Sequence, residues 1–571
     1  MRSTNKLNFR VIAVVLVLLT VVLSACGAGS STNDTGKAPA NKQILNETFP
    51  GGGIADIETF DPAKDGTTTS NLPISMVFTG LVALDNSQKV VPELASRWDI
   101  SSDGLTYTFT LRSGLKFSDG TSLTSADVAY SIDRALDPSL GSTVASSYLN
   151  LIVGANERLA GKIKTIIGDG VLTPNANTVV IKITKPVSYF LATLTYPTAY
   201  VVEKKLITEY GNTNFTNHLN QGGGSGPFKV KSYTHGKSIV LVPNPYYYKA
   251  KPIITVNLIF YKDLNTAYEA YLNGQLDRAD VPTADLAQVK STSAYHETPT
   301  LSTYYYALNF DAKPFNNIKI RQAFDLALNK TEMSSIVYKG ALIPTNHIIP
   351  AGMPGYDPNL KGPDGTTSTS GNPTLAKTLF TEGLKEDGYA NVAALPKLQF
   401  PYNSGNSDLE KEITIAVQEW HDVLGVNIQV VPTDFETLTA EEPKTVGNGS
   451  MPLFSTGWID DYPDPQDFTT LQFAPGSSNN STNYGQNKSS DAAAQVKVQN
   501  ELAAADVEKD TTTRLSMYND AEQKLVNDVA WLPTFQQSTS RVLKTYVKGY
   551  SFNASDLIPP FDWANVYIEN H

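Results

Sequence analysis

Residues 92–136 read PELASRWDISSDGLTYTFTLRSGLKFSDGTSLTSADVAYSIDRAL. Within them Leu105, Tyr107, Phe109 and Leu111 alternate with Thr106, Thr108 and Thr110. That period of two predicts a half-buried strand. Ser102-Asp103-Gly104 supplies a turn before it and Ser118-Asp119-Gly120 a turn after it. Thr124 stands three residues before Asp127, the spacing of a capping box, and Val128, Ile132 and Ala135 follow at helical spacing. Asp137-Pro138 ends the helix, because the residue before a proline disfavours the helical conformation.

The same alternation of strand and helix runs along the chain from Ile44. Residues 304–310 read as a strand, and Ile320, Ala323, Phe324, Ala327 and Leu328 form a helical stripe. Residues 397–402 read as a strand. Leu409, Ile413, Ala416, Val417, Trp420 and Leu424 then line one helix face closed by Gly425, and Val426, Ile428 and Val430 alternate again. Strand, helix and strand over so short a span predict a βαβ unit and a partly parallel sheet. Leu515, Tyr518, Leu525 and Val526 mark a late helix, with a strand over 531–535 behind it. The low-complexity stretches 362–374 and 476–490 read as surface loops.

The N-terminal region fixes an address. Arg2, Lys6 and Arg10 precede an apolar run over 11–23, which ends in Leu23-Ser24-Ala25-Cys26, the chain's one cysteine. A basic start, a short apolar core and a small-residue cleavage site make a secretory signal peptide over 1–25. The run is too short for a membrane span of roughly 20 residues. The tetrapeptide resembles a bacterial lipobox, which implies that Cys26 becomes a lipidated N-terminus. Residues 26–42 are small, polar and rich in Gly, Ser and Pro, as a flexible tether would be. Gly27 follows the cysteine where an inner-membrane retention signal would place Asp, so anchoring on the outer face of the cell membrane is expected, periplasmic in a two-membraned organism.

The chain has 571 residues and a formal net charge of −11, and removal of three basic residues with the signal leaves it more acidic still. That is more than one hydrophobic core can organise, so at least two lobes are expected. The acidic balance argues against a nucleic-acid partner. One cysteine excludes an intrachain disulfide. The six histidines show no metal-ligand spacing, and no Gly-x-Ser-x-Gly elbow or Gly-Lys-Ser/Thr phosphate loop is present. Gly222-Gly223-Gly224-Ser225-Gly226 lacks the lysine of a phosphate loop and reads as a turn before a strand. Acidic pairs cannot be weighed as glycosidase sites among 56 acidic residues. Neither a cofactor nor a metal is expected.

Residues 92–136 closely resemble the signature region of the bacterial extracellular solute-binding proteins of family 5, the oligopeptide- and dipeptide-binding proteins of ABC importers. Further motifs follow in the family's order: Thr59-Phe60-Asp61-Pro62, Phe78-Thr79-Gly80-Leu81, Gly224-Ser225-Gly226-Pro227-Phe228, Asn244-Pro245-Tyr246-Tyr247, residues 272–277, residues 314–330, Trp531-Leu532-Pro533 and residues 546–550. The resemblance implies an α/β, two-lobed periplasmic-binding-protein-like fold with mixed sheets, an extra domain and a hinged cleft. It places domain I at 43–70, 185–300 and 541–571, domain II at 71–184 and domain III at 301–540. It implies a monomer that captures an oligopeptide and passes it to the permease and ATPase subunits of an importer, without being an enzyme.

Gly457-Trp458-Ile459-Asp460-Asp461 resembles the family's Gly-Trp-x-x-Asp. That motif implies that Asp461 pairs with the ligand's α-ammonium, that Trp458 walls a ligand side chain, and that the backbone near Gly457 pairs with an extended peptide. A desolvated ammonium needs such a carboxylate. Asp460 is the competitor if the register slips. Asp56, five residues before Asp61, matches a ligand-facing acid of some oligopeptide binders. Two rivals stand beside this reading. The same fold can take an oligosaccharide, a nickel complex or an opine, and 28 tyrosines suit sugar stacking. The chain can also be a secreted hydrolase.

Overall fold

A computed structural model of the protein describes residues 36–571 apart from 52–53. Cys26 and the signal lie outside the described residues.

The first lobe rests on a seven-stranded mixed sheet in the order Tyr295–Pro299, Ser538–Leu543, Arg278–Asp280, Ile44–Thr48, Thr255–Ile259, Ser238–Pro243, Phe228–Thr234. Ile44–Thr48 lies at its centre, parallel to both neighbours. The other neighbours pair antiparallel. A four-stranded antiparallel sheet extends this lobe, in the order Ala95–Ile100, Thr106–Leu111, Thr178–Lys182, Val171–Asn175. Tyr107, Phe109 and Leu111 point into its core as the alternation requires. The helix Ser125–Ala135 covers it and opens with the expected capping box, in which the Thr124 N–H donates to Asp127 Oδ2 at 2.8 Å.

The second lobe holds a four-stranded antiparallel sheet in the order Ile343–Pro344, Leu532–Gln536, Ser302–Leu308, Leu453–Ile459. Beside it lies the expected βαβ unit. Leu398–Asn403 runs parallel to Ile428–Thr433, with the helix Ser407–Leu424 between them and Gly425 ending that helix at φ +73°. Two adjacent strands carry the chain between lobes. Tyr295–Pro299 leads into Ser302–Leu308, and Leu532–Gln536 leads into Ser538–Leu543. At the crossing, the Thr300 N–H donates to the Gln537 carbonyl at 2.9 Å and Gln536 Nε2 to the Thr300 carbonyl.

Buried polar contacts fasten the two sheets of the first lobe to each other. Arg134 Nη1 and Nη2 donate to Asp61 Oδ1 and Oδ2 at 2.9 and 2.6 Å, with both side chains buried. Glu93, fully buried, accepts from the hydroxyls of Tyr247 and Tyr248 and from Lys249 Nζ. Gly224 and Gly226 let their strand press on the end of the helix Thr68–Val77; a Cβ at Gly226 would meet the Met76 carbonyl at 2.6 Å.

Packing departs from the expected borders in three places. The helix Thr68–Val77 buries Leu72, Ile74, Met76 and Val77 in the core of the seven-stranded sheet, whereas Val187, Tyr189, Phe190 and Leu194 join that of the four-stranded sheet. By packing, the core of the four-stranded sheet takes in Ala63 and the stretch from Leu81 to Val201. The distal part of the expected tether is docked: Lys37 bridges to Glu569, the Ala38 N–H donates to the Ile568 carbonyl, and Gln43 is buried. The stretch 476–490 is not a surface loop throughout. Asn480 to Tyr484 are buried, because the side chains of Asn480 and Asn483 satisfy nearby backbone carbonyls.

Removing Arg134 leaves a buried carboxylate unpaired, a loss of about 3–5 kcal/mol. Arg134→Ala should lower the denaturation free energy of the first lobe by that amount. Asp61→Asn in the same chain should recover part of it, as urea unfolding of the four-corner cycle will show.

Candidate functional site

The strand Leu453–Ile459 lies antiparallel to Ser302–Leu308, with Tyr304 opposite Gly457 and Ser302 opposite Ile459. Beyond its end the Asp460 N–H donates to the Leu301 carbonyl at 2.8 Å, so the following loop starts at the hinge crossing. The Tyr304 ring lies on Gly457; a Cβ there would sit 2.6 Å from Tyr304 Cδ1. Gly457 thus admits a neighbouring ring.

Four aspartates share the loop and differ in their partners. Asp464 caps the short helix Pro465–Phe468 and is paired with Arg514, whose Nη1 and Nη2 lie 2.9 and 2.5 Å from its oxygens. Asp467 Oδ2 accepts from Trp458 Nε1 and from the Asp461 N–H, both at 3.1 Å, while its Oδ1 is buried without a hydrogen-bond partner. Among the described residues, Asp460, Asp461 and Asp467 have no cationic partner. Burial pushes the Asp461 carboxyl up to about 6, against which a hydrogen bond from Tyr148 acts. Burial and then the Asp461 charge push Asp460 well above the usual carboxylate range. Asp467 rises for the same reason, with Asp461 and Asp460 both facing it. Asp467 is buried, Asp460 and Asp461 are half-buried beside it, and none of the three has a cation, an arrangement that favours a positive guest.

The other lobe faces this loop with tyrosines. Tyr148 stacks on Tyr196 with ring centroids 3.8 Å apart. The Tyr462 side chain leaves its own lobe and is buried in the core of the four-stranded sheet, 6.1 Å from Tyr189 and 6.5 Å from Tyr148. The Tyr196 hydroxyl donates to the Asp65 carbonyl at 3.2 Å. Asp65 is itself buried, with Oδ2 unpartnered, and burial pushes its carboxyl up to about 7. Elsewhere the lobes meet where Lys509 Nζ donates to the Ser102 carbonyl at 3.1 Å. The lobes are closed on each other.

The structure brings Gly457, Trp458 and Asp461 together and leaves Asp56 apart. Asp56 accepts from the Tyr233 hydroxyl at 2.5 Å, His235 Nδ1 at 2.8 Å, and the N–H groups of Ile57 and Gly236. Burial raises its carboxyl, but these hydrogen bonds outweigh burial and hold it below the usual value. Its acceptors are filled from its own lobe, by partners none of which belongs to the 457–461 loop. The indole N–H of Trp458 is likewise engaged, by Asp467. Sequence reasoning missed Asp65, Tyr148, Tyr189, Tyr196 and Asp467. The one available signal was the adjacency of Tyr462 to Asp461. Among the described residues no group of three or more His, Cys, Asp or Glu is disposed to hold a metal, and no helix is long and apolar enough to cross a membrane.

Comparison with known proteins extends this picture. Residues 89–480 match the family described as bacterial extracellular solute-binding proteins, family 5 Middle. The chain is 27% identical to the oligopeptide-binding protein OppA of Bacillus subtilis, over 94% of this chain and 96% of that protein. It is 29% identical to the periplasmic oligopeptide-binding protein OppA of Salmonella typhimurium, over 97% and 96%. The solved structure of Haemophilus influenzae OppA in complex with RPPGFSPFR superposes with a TM-score of 0.73 at 25% identity, over 93% of this chain and 99% of that one.

Gly457→Ala should destabilise the protein by about 1–3 kcal/mol, the usual range for overpacking. Tyr304→Ala in the same chain should remove most of that increment, because the added methyl then meets space. Thermal unfolding of the two singles and the double measures the coupling.

Proposed function

The chain belongs to the bacterial extracellular solute-binding proteins of family 5, and we propose that it captures peptides by their free amino terminus in the cleft between its lobes. The carrying observation is the set of Asp460, Asp461 and Asp467 beside the hinge crossing, none with a cationic partner and Asp467 buried with Oδ1 unpartnered. An α-ammonium there would neutralise charge that the fold itself leaves unpaired. The relatives named as oligopeptide-binding proteins, which match over nearly their whole length, support the ligand class. In this reading Asp461 is the ammonium partner and Trp458 and Gly457 border the peptide. Cys26 carries the lipid anchor, and the closed, loaded protein delivers its cargo to the permease of an ABC importer. The seven-stranded sheet and its extension form one lobe and residues 301–540 the other.

Mass spectrometry of small molecules released from the purified, denatured protein should find peptides. Asp461→Ala should weaken binding of a free peptide by about two to three decades, the equivalent of breaking a buried pair at about 1.4 kcal/mol per tenfold. N-acetylation of the peptide should cost the wild type as much and the variant far less, because both changes delete one contact. Asp460→Ala should cost little. Calorimetry on the four-corner cycle tests this; additive losses would assign the ammonium elsewhere.

The acid limb of binding follows from the same group. Without ligand the Asp461 carboxyl ionises near pH 6, and a bound ammonium would hold it lower. The free protein then binds the extra proton, so affinity is full above about pH 6 and falls as pH drops below it, toward tenfold per unit. Binding at pH 5.5 should release protons, read as a buffer-dependent calorimetric heat that is absent at pH 8.

A further inference from the structure

Asp325, Lys330 and Asn346 bring an acid, an amine and a carboxamide together inside the second lobe. Asp325 lies near the end of the helix Ile318–Leu326, Lys330 opens the helix Lys330–Val337, and Asn346 follows the edge strand Ile343–Pro344. All three are buried. Lys330 Nζ lies 2.8 Å from Asp325 Oδ1 and donates to Asn346 Oδ1 at 2.9 Å. The Asn346 amide is fixed in that orientation, because its Nδ2 donates to the Ser368 carbonyl at 2.9 Å. Nδ2 thus faces the loop 362–371, where a cavity of about 10 Å³ opens between Gly362, Ser368 and the three side chains. That is room for one molecule the size of water.

We propose that Lys330 and Asn346 condense into an intramolecular amide, a covalent staple within the second lobe, with Asp325 moving the protons. Lys330 passes one proton to Asp325, and the freed amine adds to Asn346 Cγ. Asp325 gives its proton to Nδ2 and takes a second one from Nζ. The Cγ–Nδ2 bond breaks, ammonia leaves by way of the cavity, and an Nζ–Cγ amide remains beside a neutral Asp325. Nothing is oxidised or reduced, and no co-reactant is needed. The fold supplies the proximity, and the step occurs once per chain, so a slow rate suffices. It also removes a buried ion pair, whose desolvation is costly. One cysteine allows no disulfide in this chain. The amide links residues 16 apart and ties down the segment whose Thr345 N–H donates to the Thr534 carbonyl, on the strand that runs to the hinge. Closing a loop in this way restricts the unfolded chain as a disulfide does.

Tryptic mapping of the purified, denatured full chain tests the staple. The wild type should yield residues 322–339, uncut at Lys330, joined to residues 340–361, at the sum of the two peptide masses less one ammonia. Separate, unmodified peptides 322–330 and 340–361, from protein that unfolds cooperatively, would overturn the proposal. Asn346→Ala should give only the separate peptides, and a join that persists there would overturn the assignment of Asn346. Asn346→Asp should restore the join with loss of one water in place of ammonia. Asp325→Asn, in protein that keeps its cooperative transition, should slow formation of the join by about a hundredfold or more, the usual contribution of a positioned acid–base group. Undiminished formation would overturn the proton-moving role of Asp325. The wild-type map decides the staple whether or not that variant folds.

Discussion

The bidentate pair of Arg134 with Asp61 makes one rigid body of two separate sheets. A protein that works by hinge motion needs lobes that do not deform, since a soft lobe would absorb closure within itself. Buried charge meets that need, because shearing the sheets apart would strand a guanidinium and a carboxylate away from water. The Glu93 cluster repeats the device between the hairpin Val82–Pro92 region and the loop carrying Tyr247, Tyr248 and Lys249. In the second lobe Arg321 serves likewise, bonded to Asp491 and to the carbonyls of Phe315 and Asp528 and stacked on Phe310.

Against that background the three open carboxylates stand out by contrast of kind. Several buried acids elsewhere are answered by arginine, lysine or paired tyrosine hydroxyls. Glu412 is one such case, bonded by Tyr306 and Tyr338. At the loop after Ile459 the answers are one indole N–H and one backbone N–H, both on Asp467. Raised proton affinity is the thermodynamic signature of that shortfall. The free site is a poor place for three negative charges, and a cationic guest relieves it. On the peptide-binding proposal, binding free energy comes partly from relief of repulsion built into the fold.

Much of the architecture was legible because it is local. The strand Thr106–Leu111, the capping box at Thr124 and the βαβ unit closed by Gly425 each depend on neighbours within a few residues or one helix length. The docking of residues 37–43 on the C-terminal segment was not legible, since a polar, flexible composition does not report a strand partner some 500 residues away. Nor was the burial of 480–484, where asparagine side chains replace secondary-structure hydrogen bonds. At the site, Asp461 could be placed by its motif. The tyrosines that face it come from the other lobe and carry no periodicity that marks them. Nor does the sequence position of Asp56 report the Tyr233–His235 turn that fills its acceptors.

The motif 457–461 shows why a matched letter is not yet a ligand contact. Gly457 is small because the Tyr304 ring lies on it. Trp458 spends its N–H on Asp467, which in turn holds the Asp461 backbone. These residues build the loop. Asp464, as acidic as its neighbours, is closed by Arg514. Asp461 differs from Asp464 in having no cationic partner, and it shares that with Asp460 and Asp467. On the proposed function, recognition resides where the loop leaves acids without a cation, and that property emerges only when the partners of every acid in the loop have been counted.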